Sequence, residues 1–367
     1  MKILILNWKD LQHTKKGGAE EYVFQIAKYW IGKGFDVKIM VPGHKRSEKC
    51  DALPPNILVH IGKRFSAHLI MHMSVSKLLR KWEPDIVIET VNTIPFFLVS
   101  KVISKRPGIR YLKLIFQTTE EIWNYELPAI LGNIGKNVLE PLWLRNASKY
   151  PTATISESSR ISLSKFGIRN SLIFPVGTDL NAQIVDDYRG HLKKPDMVFC
   201  ARLVQMKQPI DAIRAFLIAK KTVIELTESK LHVIGEGPLL SFLKEKYCGE
   251  ESIIFHGYLQ KDMRDAIFCE SSYLLATSIR EGWGLTVSES ASFGVMPVGY
   301  GTPGLIDSIS FAGGIITEPN PISLAEGLAD AVKQIREEPF SAKANLKHWS
   351  VVSDEILDSI MLNIPKT

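Results

Sequence analysis

The chain has 367 residues, of which 45% are apolar and 23% charged, with a formal net charge of +6. At roughly 100–200 residues per domain this is enough for two domains with two cores. No run approaches the ~18 apolar residues of a membrane span, and the four cysteines (Cys50, Cys200, Cys248, Cys269) lack metal-ligand spacing, which points to a reducing, cytoplasmic compartment.

Met1 to Asn7 is too short an apolar run for a signal peptide and instead predicts the first strand, Lys2–Trp8. After it, Gly17-Gly18 precedes a helix over Glu21–Trp30; paired glycines let backbone approach a ligand closely, although this is not a Gly-X-Gly-X-X-Gly fingerprint. Further first-half strands are predicted at Asp36–Val41, Ile57–Ile61, Asp85–Val91, Leu112–Thr118, Ala153–Ser156 and Leu172–Val176. The polar stretch Gly177 to Pro195 is expected to be a linker with an approach helix. Second-half strands follow at Met197–Leu203, Leu231–Gly235, Ile253–Tyr258, Tyr273–Thr277 and Met296–Tyr300. Helical patterns alternate with these runs, so each half is expected to be a doubly wound, Rossmann-like parallel α/β sheet. The domains are then residues 1–177 and 178–348, with 349–367 as a C-terminal helix carrying Val352, Ile356, Leu357, Ile360 and Met361 at helical spacing.

Candidate chemistry gathers at the carboxyl ends of the second-half strands, the ligand edge of an open α/β sheet. Arg202 and Lys207 follow the first of them, two cations suited to neutralising a diphosphate as charge develops on it. His232-Val-Ile-Gly-Glu-Gly-Pro238 and Ile254-Phe-His-Gly-Tyr-Leu259 end the next two with Gly235 and Gly257, where backbone and Tyr258 can meet a flat base. The loop Pro297 to Leu305 adds more glycines. The most informative stretch is Ser278-Ile-Arg-Glu-Gly-Trp-Gly-Leu-Thr-Val-Ser-Glu-Ser290. Eight residues of continuous helix would turn roughly 800°, so Glu281 and Glu289 would not share a face. Glu281 is therefore placed in the Gly282-Trp283-Gly284 loop, and Glu289 about one turn into a helix from Thr286 to Gly294. The helix start offers Leu285 and Thr286 backbone N–H groups to a phosphate. Ionised carboxylates only accept hydrogen bonds, so sugar hydroxyls on either side of that phosphate are their natural partners. A surface loop with a helix-capping Glu is the plain alternative.

The ordered set Gly17-Gly18, Ser156-Glu-Ser158, Pro175-Val-Gly-Thr-Asp179, Arg202 with Lys207, Gly235-Glu-Gly237, Phe255-His-Gly257 and Glu281 to Glu289 resembles the family 4 retaining glycosyltransferases over nearly the whole chain. The resemblance implies the GT-B architecture, two Rossmann-like domains facing across a cleft, with the C-terminal helix crossing back to the first. It implies that Arg202 and Lys207 hold the diphosphate, Glu281 the donor hexose and Glu289 the ribose, with Gly17 and Gly18 facing the donor from the acceptor domain. Acceptor-side candidates are Glu20, Thr118 and Glu121. The family retains anomeric configuration by front-face departure and attack, the leaving diphosphate itself taking the acceptor's proton. No Asp-X-Asp signature is present, so no catalytic metal or other cofactor is expected, and the nucleotide-sugar, UDP- or GDP-linked, is a substrate. Two positions depart from the family pattern. Phe116 stands before Gln117 where His-Gln is frequent, and Gln208 stands where a glycine often follows the lysine.

The charge is uneven. Residues 1–180 carry 26 Lys and Arg against 15 Asp and Glu, a balance of +11, and the remainder 19 against 24, a balance of −5. A basic half fits an anionic partner. With no helix-turn-helix, zinc finger or aromatic-basic strand pattern, nucleic acid is not expected. Gly62 to Trp82 carries Lys63, Arg64, Lys77, Arg80 and Lys81 beside Phe65, Leu69, Met73 and Trp82, the pattern of a basic amphipathic helix on the cytoplasmic membrane face or of a helix packed on its own sheet. The expected function is hexose transfer to a saccharide or lipid-linked acceptor in cell-surface polysaccharide or glycolipid assembly. The alternatives are synthesis of a small soluble glycoside, or a non-catalytic nucleotide-sugar-binding partner subunit.

Overall fold

The computed structural model describes residues 1–11, 13, 17–43, 58–63, 67–91, 96–179, 193–341 and 346–367. The chain forms two compact units, Met1–Val176 with Trp349–Thr367, and Gly177–His348.

In the first unit, β1 (Lys2–Leu6), β2 (Asp36–Gly43), β3 (Leu58–Lys63), β4 (Ile86–Val91), β5 (Arg110–Ile115), β6 (Thr152–Thr154) and β7 (Leu172–Ile173) form one sheet in the order β3-β2-β1-β4-β5-β6-β7. All its pairings are parallel. Ile3 to Leu6 are fully buried because helices cover both faces of such a sheet, hence a continuous apolar run rather than alternation. The helix Gly18–Gly32 buries Tyr22, Ile26 and Trp30, four residues apart, with Val23 and Ala27 beside them. The C-terminal helix Trp349–Asn363 belongs to this unit; it buries Val352, Ile356 and Ile360, and Ser353 O accepts from Trp30 Nε1 at 2.9 Å. Met361, expected on its apolar face, is exposed.

The helix Ala67–Lys81 turns a different face inward from the one expected. Met71, Val75 and Leu79 enter the core with Trp82, while Met73 is 63% exposed. The sheet selects the 71/75/79 stripe, so this helix packs as a domain helix; Phe65 lies outside the described residues.

The second unit comprises β8 (Gly177–Thr178), β9 (Lys194–Cys200), β10 (Leu231–Ile234), β11 (Ile253–Gly257), β12 (Ser271–Ala276), β13 (Met296–Tyr300), β14 (Ile315–Thr317) and β15 (Lys347–His348). Six of them form a second parallel sheet, order β11-β10-β9-β12-β13-β14, and β8 pairs with β15. The order reverses between β9 and β12, the topological switch point at which open α/β sheets bind ligands beyond their carboxyl ends. Lys193, just before β9, gives its ammonium to Phe268 O, Cys269 O and Ser271 O at 2.8, 3.0 and 2.8 Å. It thereby caps the carboxyl end of the helix Lys261–Glu270 with a cation. The expected approach helix falls largely on residues 180–192, outside the described ones.

Candidate functional site

At the end of β9 the chain passes exposed Arg202 and makes a single 3-10 turn, Gln205–Lys207, before the helix Pro209–Thr222. Gln208 joins them with φ +48°, the left-handed region, which explains why a glycine suits this position. The turn is pinned from β12: Thr277 Oγ1 donates to Lys207 O at 2.8 Å and Gln208 O at 3.0 Å, and Ile279 N to Met206 O at 3.0 Å.

This pinning brings Lys207 to Glu281. Lys207 Nζ donates to Glu281 Oε1, which also accepts from Ser278 Oγ at 2.7 Å. The two side chains are only 15% and 18% exposed. Partial burial strengthens such a pair relative to a surface one. The Glu281 backbone is fixed as well, its N–H donating to Pro303 O at 2.9 Å. Gly304, at φ +82°, lies so close that a Cβ there would sit 2.1 Å from Glu281 O.

The loop continues through Gly282 and Trp283 to Gly284, whose φ of +89° starts the helix Leu285–Ser292. Trp283 turns its indole into the protein, with Nε1 donating to Ser288 Oγ at 2.8 Å and the ring edge-on to Phe311 at 5.4 Å. The first N–H groups of this helix, those of Leu285 and Thr286 included, have no carbonyl partner within it. Glu289 sits one turn in. It does not join Glu281; its Oε2 lies 3.1 Å from Arg264 Nη1, a residue that sequence reasoning did not single out.

The glycines of the neighbouring turns have steric reasons. A Cβ on Gly235 (φ +137°) would meet Ala201 O at 1.9 Å, because the chain after β9 is laced to that after β10: Ala201 N donates to Ile234 O and Leu203 N to Glu236 O, while Gly235 N donates to Gly257 O at the end of β11. Tyr258 follows Gly257 and is exposed. Beneath these turns His232 Nδ1 and His256 Nε2 are 2.9 Å apart in stacked rings. Burial, then the neighbouring His232, hold the His256 imidazole below its ordinary range.

In the first unit, Gly17 precedes the helix that begins at Gly18, and its N–H donates to Glu20 Oε2 at 2.7 Å. Glu20 is buried and caps its own helix, which is a structural use of that side chain. Gly17 is extended (φ −151°), and among the described residues a Cβ there would meet only Glu20 Oε2, at an ordinary 3.6 Å. Thr118 is buried and donates to Glu120 Oε1 at 2.6 Å, whereas Glu121 is exposed, 4.0 Å from Lys136. The holder of this loop is Glu140. Its buried carboxylate accepts from Thr119 N, from Glu120 N at 2.8 Å and from Trp123 Nε1 at 3.0 Å. It fixes Glu120 at a left-handed φ of +37°. Phe116, at the position where histidine is frequent, is buried edge-on to Tyr22 at 5.5 Å.

Residues 16–173 match the family model described as Glycosyltransferase Family 4, and residues 184–347 the model described as Glycosyl transferases group 1. No curated protein sequence matches in a direct comparison. Among solved structures, a sucrose-phosphate synthase from Thermosynechococcus elongatus aligns at TM-score 0.70 and 13% identity, over 97% of each chain. Anabaena Alr3699/HepE, solved in complex with UDP, aligns at 0.69 and 15%, over 98% of this chain and 100% of that one. WaaG, a glycosyltransferase involved in lipopolysaccharide biosynthesis, aligns at 0.63 and 15%, over 97% and 95%. At these identities the likeness shows the fold, a GT-B arrangement of two parallel α/β sheets.

Proposed function

The chain belongs to glycosyltransferase family 4, and from that premise we propose that it moves a hexose from a nucleoside-diphosphate sugar to a saccharide or lipid-linked saccharide acceptor, with retention. The observation that carries this reading is the half-buried Lys207–Glu281 pair, held beside the start of the helix Leu285–Ser292 at the carboxyl end of the sheet.

Lys207 carries three N–H donors and gives one to Glu281, which leaves it the capacity to bond phosphate oxygens as well. With Arg202 and the helix N-terminus it stabilises the diphosphate as the bond from the anomeric carbon to the phosphate oxygen breaks. Glu281 accepts from hexose hydroxyls and Glu289 from the ribose. The acceptor oxygen attacks the face the diphosphate leaves, and its proton passes to the departing phosphate oxygen. No resident metal or cofactor enters this scheme, since Arg202, Lys207 and the helix start supply the positive charge. Gly17, an extended N-cap residue, has no Cβ to hold a ligand away from its main chain, which fits a ligand-side role for the first unit. Glu121, exposed, is the acceptor-side candidate we retain; Glu20 and Thr118 serve the protein interior.

A lipid-linked acceptor is favoured by the first unit's surface. The helical run from Ala129 to Ala147 exposes Ile130, Ile134, Val138 and Leu142 in one stripe, flanked by Leu127 and Leu131. Contiguous exposed apolar surface rather than scattered single residues marks an interaction face. Together with the basic balance of residues 1–180, it supports peripheral association with an anionic leaflet. A soluble-glycoside synthase needs no such stripe.

The test is a thermal-shift panel of UDP, GDP, ADP and their hexose conjugates, with and without EDTA. A selective rise with one nucleotide, unchanged by EDTA and lost in Arg202→Ala and Glu289→Ala, is the expected result. No rise with any nucleotide would refute the donor reading. HepE's complex with UDP makes the uridine conjugates the first to try.

A further inference from the structure

We propose that Arg264 is a positioning residue for nucleotide recognition: it aims the Glu289 carboxylate at the ribose. This rests on the reading above in which Glu289 accepts the ribose hydroxyls.

Arg264 and Asp265 are adjacent on the helix Lys261–Glu270, and adjacent helical residues do not ordinarily face each other. Here the guanidinium folds back so that Nε and Nη2 both donate to Asp265 Oδ1, at 3.2 and 3.0 Å. Asp265 is fully buried, and its other oxygen accepts from Lys261 Nζ at 2.6 Å. The guanidinium also lies over the Phe268 ring at 5.5 Å. Two bonds and a ring fix its plane, and the remaining edge points Nη1 at Glu289 Oε2, 3.1 Å away on the neighbouring helix.

The chain Lys261–Asp265–Arg264–Glu289 alternates in sign and ends at the carboxylate, so no charge in it is buried alone. A planar fork can hold two carboxylates in fixed directions at once; a lysine ammonium cannot. The arrangement settles one oxygen of Glu289 on protein and turns the carboxylate as a unit. A carboxylate held in this way can accept from a vicinal diol.

The experiment measures dissociation constants of UDP and GDP beside their 2′,3′-dideoxy forms, for the wild type, Glu289→Ala, Arg264→Met and Arg264→Lys. For the nucleotide that binds more tightly, the wild type is expected to prefer the ribose form at least tenfold. Arg264→Met should lose most of that preference, as Glu289→Ala does, while affinity for the dideoxy form changes little. General structural damage would weaken both forms together. Should Arg264→Met fail to fold, Arg264→Lys carries the same comparison, with a preference expected between those of the wild type and Glu289→Ala. If Glu289→Ala abolishes the preference and the folded Arg264 variants keep it within twofold of wild type, Arg264 does not position the carboxylate. If Glu289→Ala itself keeps the preference, the ribose assignment of Glu289 fails and this proposal falls with it.

Discussion

Gly304→Ala tests the geometry of the site without touching any residue assigned to the chemistry. At φ +82° an alanine costs about 1–2 kcal/mol of left-handed strain. Its Cβ would also stand 2.1 Å from Glu281 O, against 3.4 Å for the start of ordinary contact, so the Glu281 main chain must move by about 1.3 Å. Crowding of this kind adds about 1–3 kcal/mol. A displacement of about 1 Å at a positioned group lowers kcat/KM by about a hundredfold, or about 2.7 kcal/mol in the barrier. Two controls separate the causes. Gly34→Ala shares the left-handed φ (+84°) with nothing within 4 Å among the described residues, and Gly249→Ala meets none of them either and has no such φ. Thermal melting and nucleotide-sugar turnover are measured on all three. Gly304→Ala should melt below Gly34→Ala and lose about a hundredfold in turnover efficiency, with both controls at wild-type efficiency. An efficiency within twofold of wild type for Gly304→Ala would refute the claim that its contact sets the place of Glu281.

Lys193→Met removes the donor for three helix-end carbonyls, and about 2–4 kcal/mol of stability is expected to go with it; melting within 1 °C of wild type would contradict the cap. Because burial and then His232 hold the folded His256 below the ordinary imidazole range, the unfolded chain takes up that proton first as pH falls through about 6.5. The associated stability is full above that pH and is lost toward the lower folded value. His256→Gln should therefore flatten the melting profile between pH 7 and 5, and identical profiles would remove this pair as the cause. Ile134→Glu with Leu142→Glu, both at exposed positions, should leave melting unchanged and weaken flotation with phosphatidylglycerol vesicles at low salt at least tenfold. Unchanged flotation, or none in the wild type, would discard the stripe as a membrane face.

Much of the fold was legible because parallel sheets buried on both faces are written as continuous apolar runs, such as Lys-Ile-Leu-Ile-Leu in β1 and Tyr-Leu-Leu-Ala in β12. Strands too short to carry a pattern, such as β14 after Gly313-Gly314 and the β8–β15 pair, left no such trace. The helix Ala67–Lys81 offered two apolar stripes, and periodicity does not say which one a sheet will cover; the sheet took Met71, Val75 and Leu79. Glu89 and Lys113 are single charges within strands, and the sequence around neither names a partner. In the structure they form a fully buried pair at 2.8 Å, with Tyr111 and Ser100 also on the carboxylate. The pairing of β4 with β5, register Glu89↔Lys113, creates that partnership, and no local window of sequence contains it.

The site divides along the same line. Residues proposed to meet ligand announce themselves by type and context: Lys207 and Glu281 stand in loops that follow strands, Glu281 beside Gly282, and Glu289 lies one turn into the helix after that loop. The residues that hold them do not. In the sequence, Arg264-Asp265 is one pair of adjacent charges, Glu140 one acid among several and Gly304 one glycine of a glycine-rich loop, and nothing there singles any of them out. Each acquires its role from a neighbour distant in sequence: Glu289 for Arg264, the Thr119–Trp123 loop for Glu140, the Glu281 carbonyl for Gly304. A ligand contact requires a side chain of suitable chemistry at a strand end, which a sequence displays. Its accuracy requires a second residue whose value exists only after folding, and substitutions at these holders are therefore the ones that separate a formed site from a merely encoded one.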